Sequence, residues 1–109
     1  MENKFSNIDL MLLNGTSFHF GYVNDSAENI DRVLGNHELC MDDKVFYEWP
    51  RKLNDNIVFS VYDYKYYKRP PYNEKIIYHI GTKTPEDTEK VVEALKSAGL
   101  NSYIKHIYE

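Results

Sequence analysis

In GTKTPEDTEKVVEALKSAGL, residues 81–100, the marks of a capped helix follow one another in order. Thr84 stands where an N-cap hydroxyl belongs. Pro85 follows at the first helical position, where its missing N–H costs nothing. Glu86, Asp87 and Glu89 set negative charge against the positive end of the helix dipole. Thr88, Val91, Val92, Leu95 and Ala98 recur at three- and four-residue spacing and make one apolar stripe. Gly99 ends the helix, and Leu100 can fold back onto Leu95 in a Schellman cap. The spacing predicts a helix over 85–98. Strand-like runs flank it, from Lys75 to Ile80 on one side and after Leu100 on the other.

Upstream, Ile57 to Tyr64 is the longest strand candidate. Ile57, Phe59 and Val61 fall on one face, and Val58, Ser60, Tyr62 and Tyr64 on the other. Bulky residues on both faces suit a central strand, which should form an antiparallel hairpin with Lys75–Ile80 across the loop between them. Leu53-Asn54-Asp55-Asn56 is turn material. Val45 to Trp49 reads as a strand that Pro50 ends or marks as an edge. A short helix is expected over 26–34. Asp25 and Glu28 sit at capping-box spacing, Ala27, Ile30, Val33 and Leu34 supply a buried face, and Gly35-Asn36 stops it. Such a helix is too short to be stable alone and needs a sheet beneath it. Near the N-terminus, residues 1–7 look polar and loose. Asn14-Gly15 between apolar runs signals a hairpin of strands at 8–13 and 16–23. A short helix over 7–13, capped by Ser6, is the rival for the first run.

The resulting order is β-β-α-β-β-β-α-β. It predicts an α+β domain with two helices on one face of a mainly antiparallel sheet, in the split βαβ order of ferredoxin-like domains with an extra strand. The opposite face is then open or covered by a partner. No repeat or low-complexity segment interrupts residues 1–109, which read as a single domain.

Composition narrows the function classes. The formal charge is −4, which argues against a non-specific grip on nucleic acid or a membrane surface. A lone cysteine, Cys40, excludes an internal disulfide and fits a reducing compartment. No signal peptide and no long apolar segment is evident, so a cytoplasmic protein without a membrane span is expected. Aromatic residues make up 15% of the chain, with ten Tyr, five Phe and one Trp. Most of the tyrosines should line the sheet, and the excess points to a binding surface.

Catalytic and metal chemistry find little support. His19, His79 and His106 lie on expected strands and could converge on one face. However, no histidine pair has the spacing of a helical zinc site. Cys40 has His37 nearby, but Asp42 and Asp43 beside it would raise a thiol pKa. Glu38, Asp42 and Asp43 lack the order of a calcium loop, and the acidic run at 86–89 is explained by the dipole. Gly81-Thr82-Lys83-Thr84 precedes a helix but lacks the full phosphate-loop pattern. No catalytic residue, metal or cofactor is expected.

The densest constellation runs from Tyr62 to Tyr72, where five tyrosines and three cations fall within eleven residues. Tyr62, Tyr64, Tyr66, Tyr67, Lys68, Arg69 and Tyr72 are the expected partner-binding residues. Tyr and Arg are the usual anchors of protein interfaces. Aromatic and basic residues also suit single-stranded nucleic acid. That fit is weakened by the acidic remainder and by the glycine missing from Ile57–Tyr62, where an RNA-recognition sheet carries one. The expectation is a small, non-enzymatic inhibitor or neutraliser that occludes another protein. It has the size and charge of toxin-immunity proteins and phage-encoded anti-defence proteins. An RNA-binding or single-strand-binding module and a small-ligand regulatory domain are the alternatives. A homodimer is compatible with all three.

Overall fold

The computed structural model describes residues 5–8, 10–13, 15–39, 46–54, 56–64 and 68–105. The chain is α+β, and its described residues form seven strands and two α-helices. The strands are β1 (Phe5–Asn7), β2 (Ser17–Ser26), β3 (Glu38–Leu39), β4 (Tyr47–Leu53), β5 (Ile57–Tyr62), β6 (Lys75–Thr82) and β7 (Ser102–Ile104). The helices are α1 (Ala27–Leu34) and α2 (Pro85–Ser97). The strands form one sheet in the order β1-β4-β5-β6-β2-β7, with β3 also on β4, and every pairing is antiparallel.

Register assigns the two faces. Val23 lies opposite Tyr78, Ile80 opposite Val61, and Val61 opposite Trp49. Residues two apart share a face, so these side chains point the same way. They join Ala27, Ile30 and Leu34 of α1 and Val91, Val92 and Leu95 of α2 in one buried core. Both helices therefore cover this face. The alternate residues point to the other face.

Local chemistry explains each helix. Thr84 caps α2, its hydroxyl accepting from the Asp87 N–H at 3.0 Å. At the C-terminus Leu100 N–H reaches Leu95 O at 3.0 Å and Gly99 N–H reaches Lys96 O at 3.1 Å, with Gly99 at φ +104. That is the Schellman cap its sequence announces. In α1 the expected capping box between Asp25 and Glu28 does not form. Ser26 is the N-cap, accepting from Asn29 N–H at 3.1 Å. Asp25 turns instead to the Ser26 N–H at 2.9 Å and the Asn29 side-chain amide at 2.7 Å. The C-terminus of α1 is closed by Arg51, a fully buried guanidinium. It donates to the carbonyls of Leu34, Pro50 and Asn36 at 2.7, 2.8 and 2.7 Å.

Several expectations at the N-terminal side are corrected. Residues 10–13 are a 3-10 turn, not a strand, closed by Thr16 N–H to Leu13 O at 2.9 Å. Four consecutive apolar residues offer no period-two alternation to hold a strand. The strand lies earlier, at Phe5–Asn7, within the stretch read as loose. It pairs with β4, not with β2, so the described residues on either side of Asn14-Gly15 form no hairpin. Phe5 anchors it, its ring edge-on to Phe59 at 6.1 Å.

Pro50 neither ends β4 nor disrupts its pairing with β5. Asp63 N–H bonds Tyr47 O, so the odd residues of β4 bond β5 and the Pro50 nitrogen faces the outer edge. There it falls between the sites where β1 and β3 attach, at Arg51 and Glu48.

Candidate functional site

The face opposite the helices carries a row of aromatic rings. In the register of the sheet Tyr103 lies beside Tyr22, Tyr22 beside His79, and His79 beside Tyr62. Tyr22 stacks on Tyr103 at 5.4 Å and meets His79 edge-on at 5.5 Å. Tyr62 and Tyr64 approach His79 at 5.9 and 5.3 Å.

Phe18 reaches this cluster through a bulge in β2. The pairing jumps from Phe18 opposite Gly81 to Gly21 opposite Ile80, leaving His19 and Phe20 as extra residues. Phe20 sits at φ 66, a conformation rarely adopted by a bulky side chain. The jump sets the Phe18 ring flat on His79 at 4.3 Å. Gly81 beneath leaves space for the Tyr62 ring, whose Cε1 lies 3.4 Å from where a Cβ would be.

Burial keeps the rings of this surface uncharged near neutral pH. Burial lowers the His79 pKa and holds its imidazole neutral. Burial, then the neighbouring Tyr103, raises Tyr22. Burial, then Glu48 and Tyr64, raises Tyr62. At the end of the row Ser60 Oγ donates to Glu48 Oε2 at 2.7 Å. Tyr22 is only 7% exposed, whereas Tyr64 is 40% exposed. The inner rings form a packed floor, and Tyr64 is its accessible rim. Such a surface can stack on a planar group or bury an apolar side chain. Neutral hydroxyls would serve as hydrogen-bond donors.

The expected site residues do not stay together. Tyr62 and Tyr64 lie on the helix-free face. Arg69 and Tyr72 turn to the helix side. The Arg69 guanidinium lies over the Tyr47 ring at 5.1 Å. Tyr72 OH donates to Asp31 Oδ2 at 2.7 Å, and its carbonyl accepts from Glu28 N–H at 3.0 Å. Tyr47 OH holds Pro70 O at 2.8 Å. Lys68 is exposed. Tyr66 and Tyr67 lie outside the described residues, as does Lys65.

Asp31 is the hub of that second arrangement. Besides Tyr72 it accepts from the His37 N–H at 2.9 Å and Trp49 Nε1 at 2.9 Å, and pairs with His37 Nδ1 at 3.1 Å. Burial opposes its charge, but hydrogen bonds from Tyr72, His37 and Trp49 prevail and hold its pKa below the usual value. Bonding to the Asp31 carboxylate pushes Tyr72 up to about 12.

His19 and His79, two of the three histidines that could have converged, are not brought together. His79 is within the ring cluster, His19 Nε2 lies 3.2 Å from Ser17 Oγ, and His106 is outside the described residues. Cys40, Asp42 and Asp43 also lie outside them. Among the described residues no three His, Cys, Asp or Glu side chains are placed to hold a metal ion. None of the described helices is long and apolar enough to cross a membrane. The Thr82 hydroxyl, in the stretch resembling a phosphate loop, is turned to Thr84 O at 2.7 Å. A groove of about 640 Å³ between α2 and the β4–β5 turn is floored by Leu53, Ile57 and Ala94, on the opposite side from the ring cluster.

No family model, curated protein or solved structure matches the chain.

Sequence reasoning singled out Tyr62 and Tyr64 but did not group them with Phe18, Tyr22, His79 and Tyr103, which the sheet places beside them. The alternation of Phe18, Phe20 and Tyr22 was the available signal. It gave no hint of the bulge that carries Phe18 onto His79.

Proposed function

We propose that this chain is a small binding protein, without catalytic activity, that acts by occluding another protein. The reading rests on one observation: a neutral, closely packed cluster of aromatic rings occupies the sheet face that neither helix covers. Aromatic anchors on a preorganised floor favour protein interfaces, because little side-chain entropy is lost on binding. The acidic balance of the chain, −4, suits a basic partner and would steer its approach. An inhibitor of the toxin-immunity or phage anti-defence kind, acting in the cytoplasm, fits this description.

The fold reading that accompanies it is a ferredoxin-like core formed by β2, α1, β5, β6, α2 and β7. The spatial order β7-β2-β6-β5 supports it, with β1, β3 and β4 as additions at one edge.

A single-stranded nucleic acid is the second reading. Rings lying on a sheet surface, such as Phe18 on His79, favour base stacking. The acidic charge opposes it.

Capture from cells of the source organism, followed by mass spectrometry, separates the two. The wild-type chain should retain one protein in stoichiometric amount. A variant carrying Tyr62→Ala and Tyr64→Ala should lose it while keeping its circular dichroism spectrum. Recovery of an oligonucleotide, or of nothing, would sink the occlusion reading.

A further inference from the structure

The sheet has an edge at each end. Beyond β4 it is made of two short strands, β1 opposite Arg51–Leu53 and β3 opposite Tyr47–Glu48, which leave Pro50 between them. At the other end β7 pairs with β2, and no described residue pairs with its outer side. An unpaired strand edge is a template for another strand.

Hydrogen-bond parity tells which groups of β7 point outward. Lys105 N–H donates to Phe20 O at 3.0 Å, and Asn24 N–H donates to Asn101 O at 2.8 Å. Bonded pairs alternate along an antiparallel ladder. Asn101, Tyr103 and Lys105 therefore turn their backbone groups to β2, and Ser102 and Ile104 turn theirs away. The Ser102 N–H is occupied by Leu100 O at 3.1 Å. The outward groups are then the Ser102 carbonyl and the N–H and carbonyl of Ile104.

We infer that this edge is filled by a second copy of the chain, joined β7 to β7 across a twofold axis at Tyr103. The inference goes beyond the occlusion reading and does not depend on it. In that register Ser102 lies opposite Ile104 of the second copy. Ile104 N–H donates to the Ser102 carbonyl across the axis, and the symmetry repeats the bond. No outward N–H remains unmatched.

Side chains on both faces follow the same symmetry. On the ring face each Tyr103 meets its own copy, which joins the two aromatic rows into one. On the helix face Ile104, 37% exposed, borders a groove of about 380 Å³ lined by Glu89, Val92, Glu93 and Lys96. The turn at Gly99 reverses the chain, so α2 runs antiparallel to β7. The twofold then sets Lys96 of one copy level with Glu89 of the other. Within each copy Glu93 is already paired with Lys96 at 3.5 Å. A surface whose hydrogen bonds and charges complement themselves under a twofold is what an isologous interface requires.

The test is the mass of the full chain by sedimentation equilibrium over a wide concentration range. The expected result is a reversible monomer–dimer equilibrium. Ile104→Pro deletes an N–H that β2 does not use, and should leave a monomer with an unchanged circular dichroism spectrum. Lys96→Glu is on the surface and should weaken the dimer about tenfold, with Glu89→Lys in the same chain restoring it. If Ile104→Pro does not fold, the Lys96 and Glu89 series decides alone. A wild-type chain that stays monomeric throughout overturns the inference, and so does a dimer indifferent to these changes. A monomer that still captures a protein partner would overturn this dimer and leave the occlusion reading standing.

Discussion

Gly21 marks the closest approach of helix and sheet. A Cβ at this position would lie 2.6 Å from Thr88 Cγ2 and 3.4 Å from Ile80 Cβ. Thr88 cannot move aside cheaply, because it is fully buried and its hydroxyl lies 2.7 Å from the Thr82 hydroxyl. Gly21→Ala should therefore cost about 1–3 kcal/mol by overpacking, read from chemical denaturation. An unchanged midpoint would mean that α2 lies further from β2 than described. His79 makes a second residue-scale prediction. Its folded pKa lies below the ordinary 6.5 because burial disfavours the imidazolium. The unfolded chain thus binds a proton more readily. The stabilisation is complete above the unfolded pKa and is lost as pH falls from there through the folded value. The melting temperature should drop over that window, and His79→Gln should flatten the slope. A proton NMR titration should place the His79 midpoint below 6.5. A midpoint above it would contradict the burial argument.

Among the elements, α2 does most to hold the sheet, and Leu95 is at the centre of its buried stripe, 0% exposed. Leu95→Ala should cost about 2–5 kcal/mol by leaving a cavity over the sheet. A melting temperature that hardly moves would remove Leu95 from the core. This element was legible in the sequence because its determinants are local: Thr84, Pro85, Gly99 and Leu100 act within a few residues of the helix they bound. The hairpin of β5 and β6 was legible for a similar reason, through the alternation of Ile57, Phe59 and Val61. β1 was not. Phe5-Ser6-Asn7 has little strand character of its own and is ordered by β4, more than forty residues away. Arg51 was equally hidden, since its partners Leu34 and Asn36 come from another element. The Tyr62–Tyr72 stretch reads as one patch in sequence and separates in space. Period-two alternation sends Tyr62 to the ring face, while Asp31, a distant acceptor, draws Tyr72 to α1. Composition cannot reveal such a division.

At the scale of the whole molecule, two surfaces compete for the role of interface, and substitutions can tell them apart. One variant changes Tyr62 and Tyr64 to Ala on the ring face. The other changes Lys65, Lys68 and Arg69 to Ala in the loop. Because Arg69 also covers Tyr47, thermal melting must first show that the second variant is folded. With a protein partner, the tyrosine variant should do more damage, with at least one position worth about 2 kcal/mol or more. The loop variant should then alter mainly the association rate and its salt dependence. With a single-stranded nucleic acid the ranking reverses: the loop variant loses affinity, and the salt slope falls by about 0.7 for each phosphate contact removed. The first pattern is expected, since the rings of this face are uncharged while the chain as a whole is acidic. Normal binding by both variants would place the interface elsewhere, on the acidic stretch from Glu38 to Asp43 or across the α2 groove, and would end the case for the aromatic face.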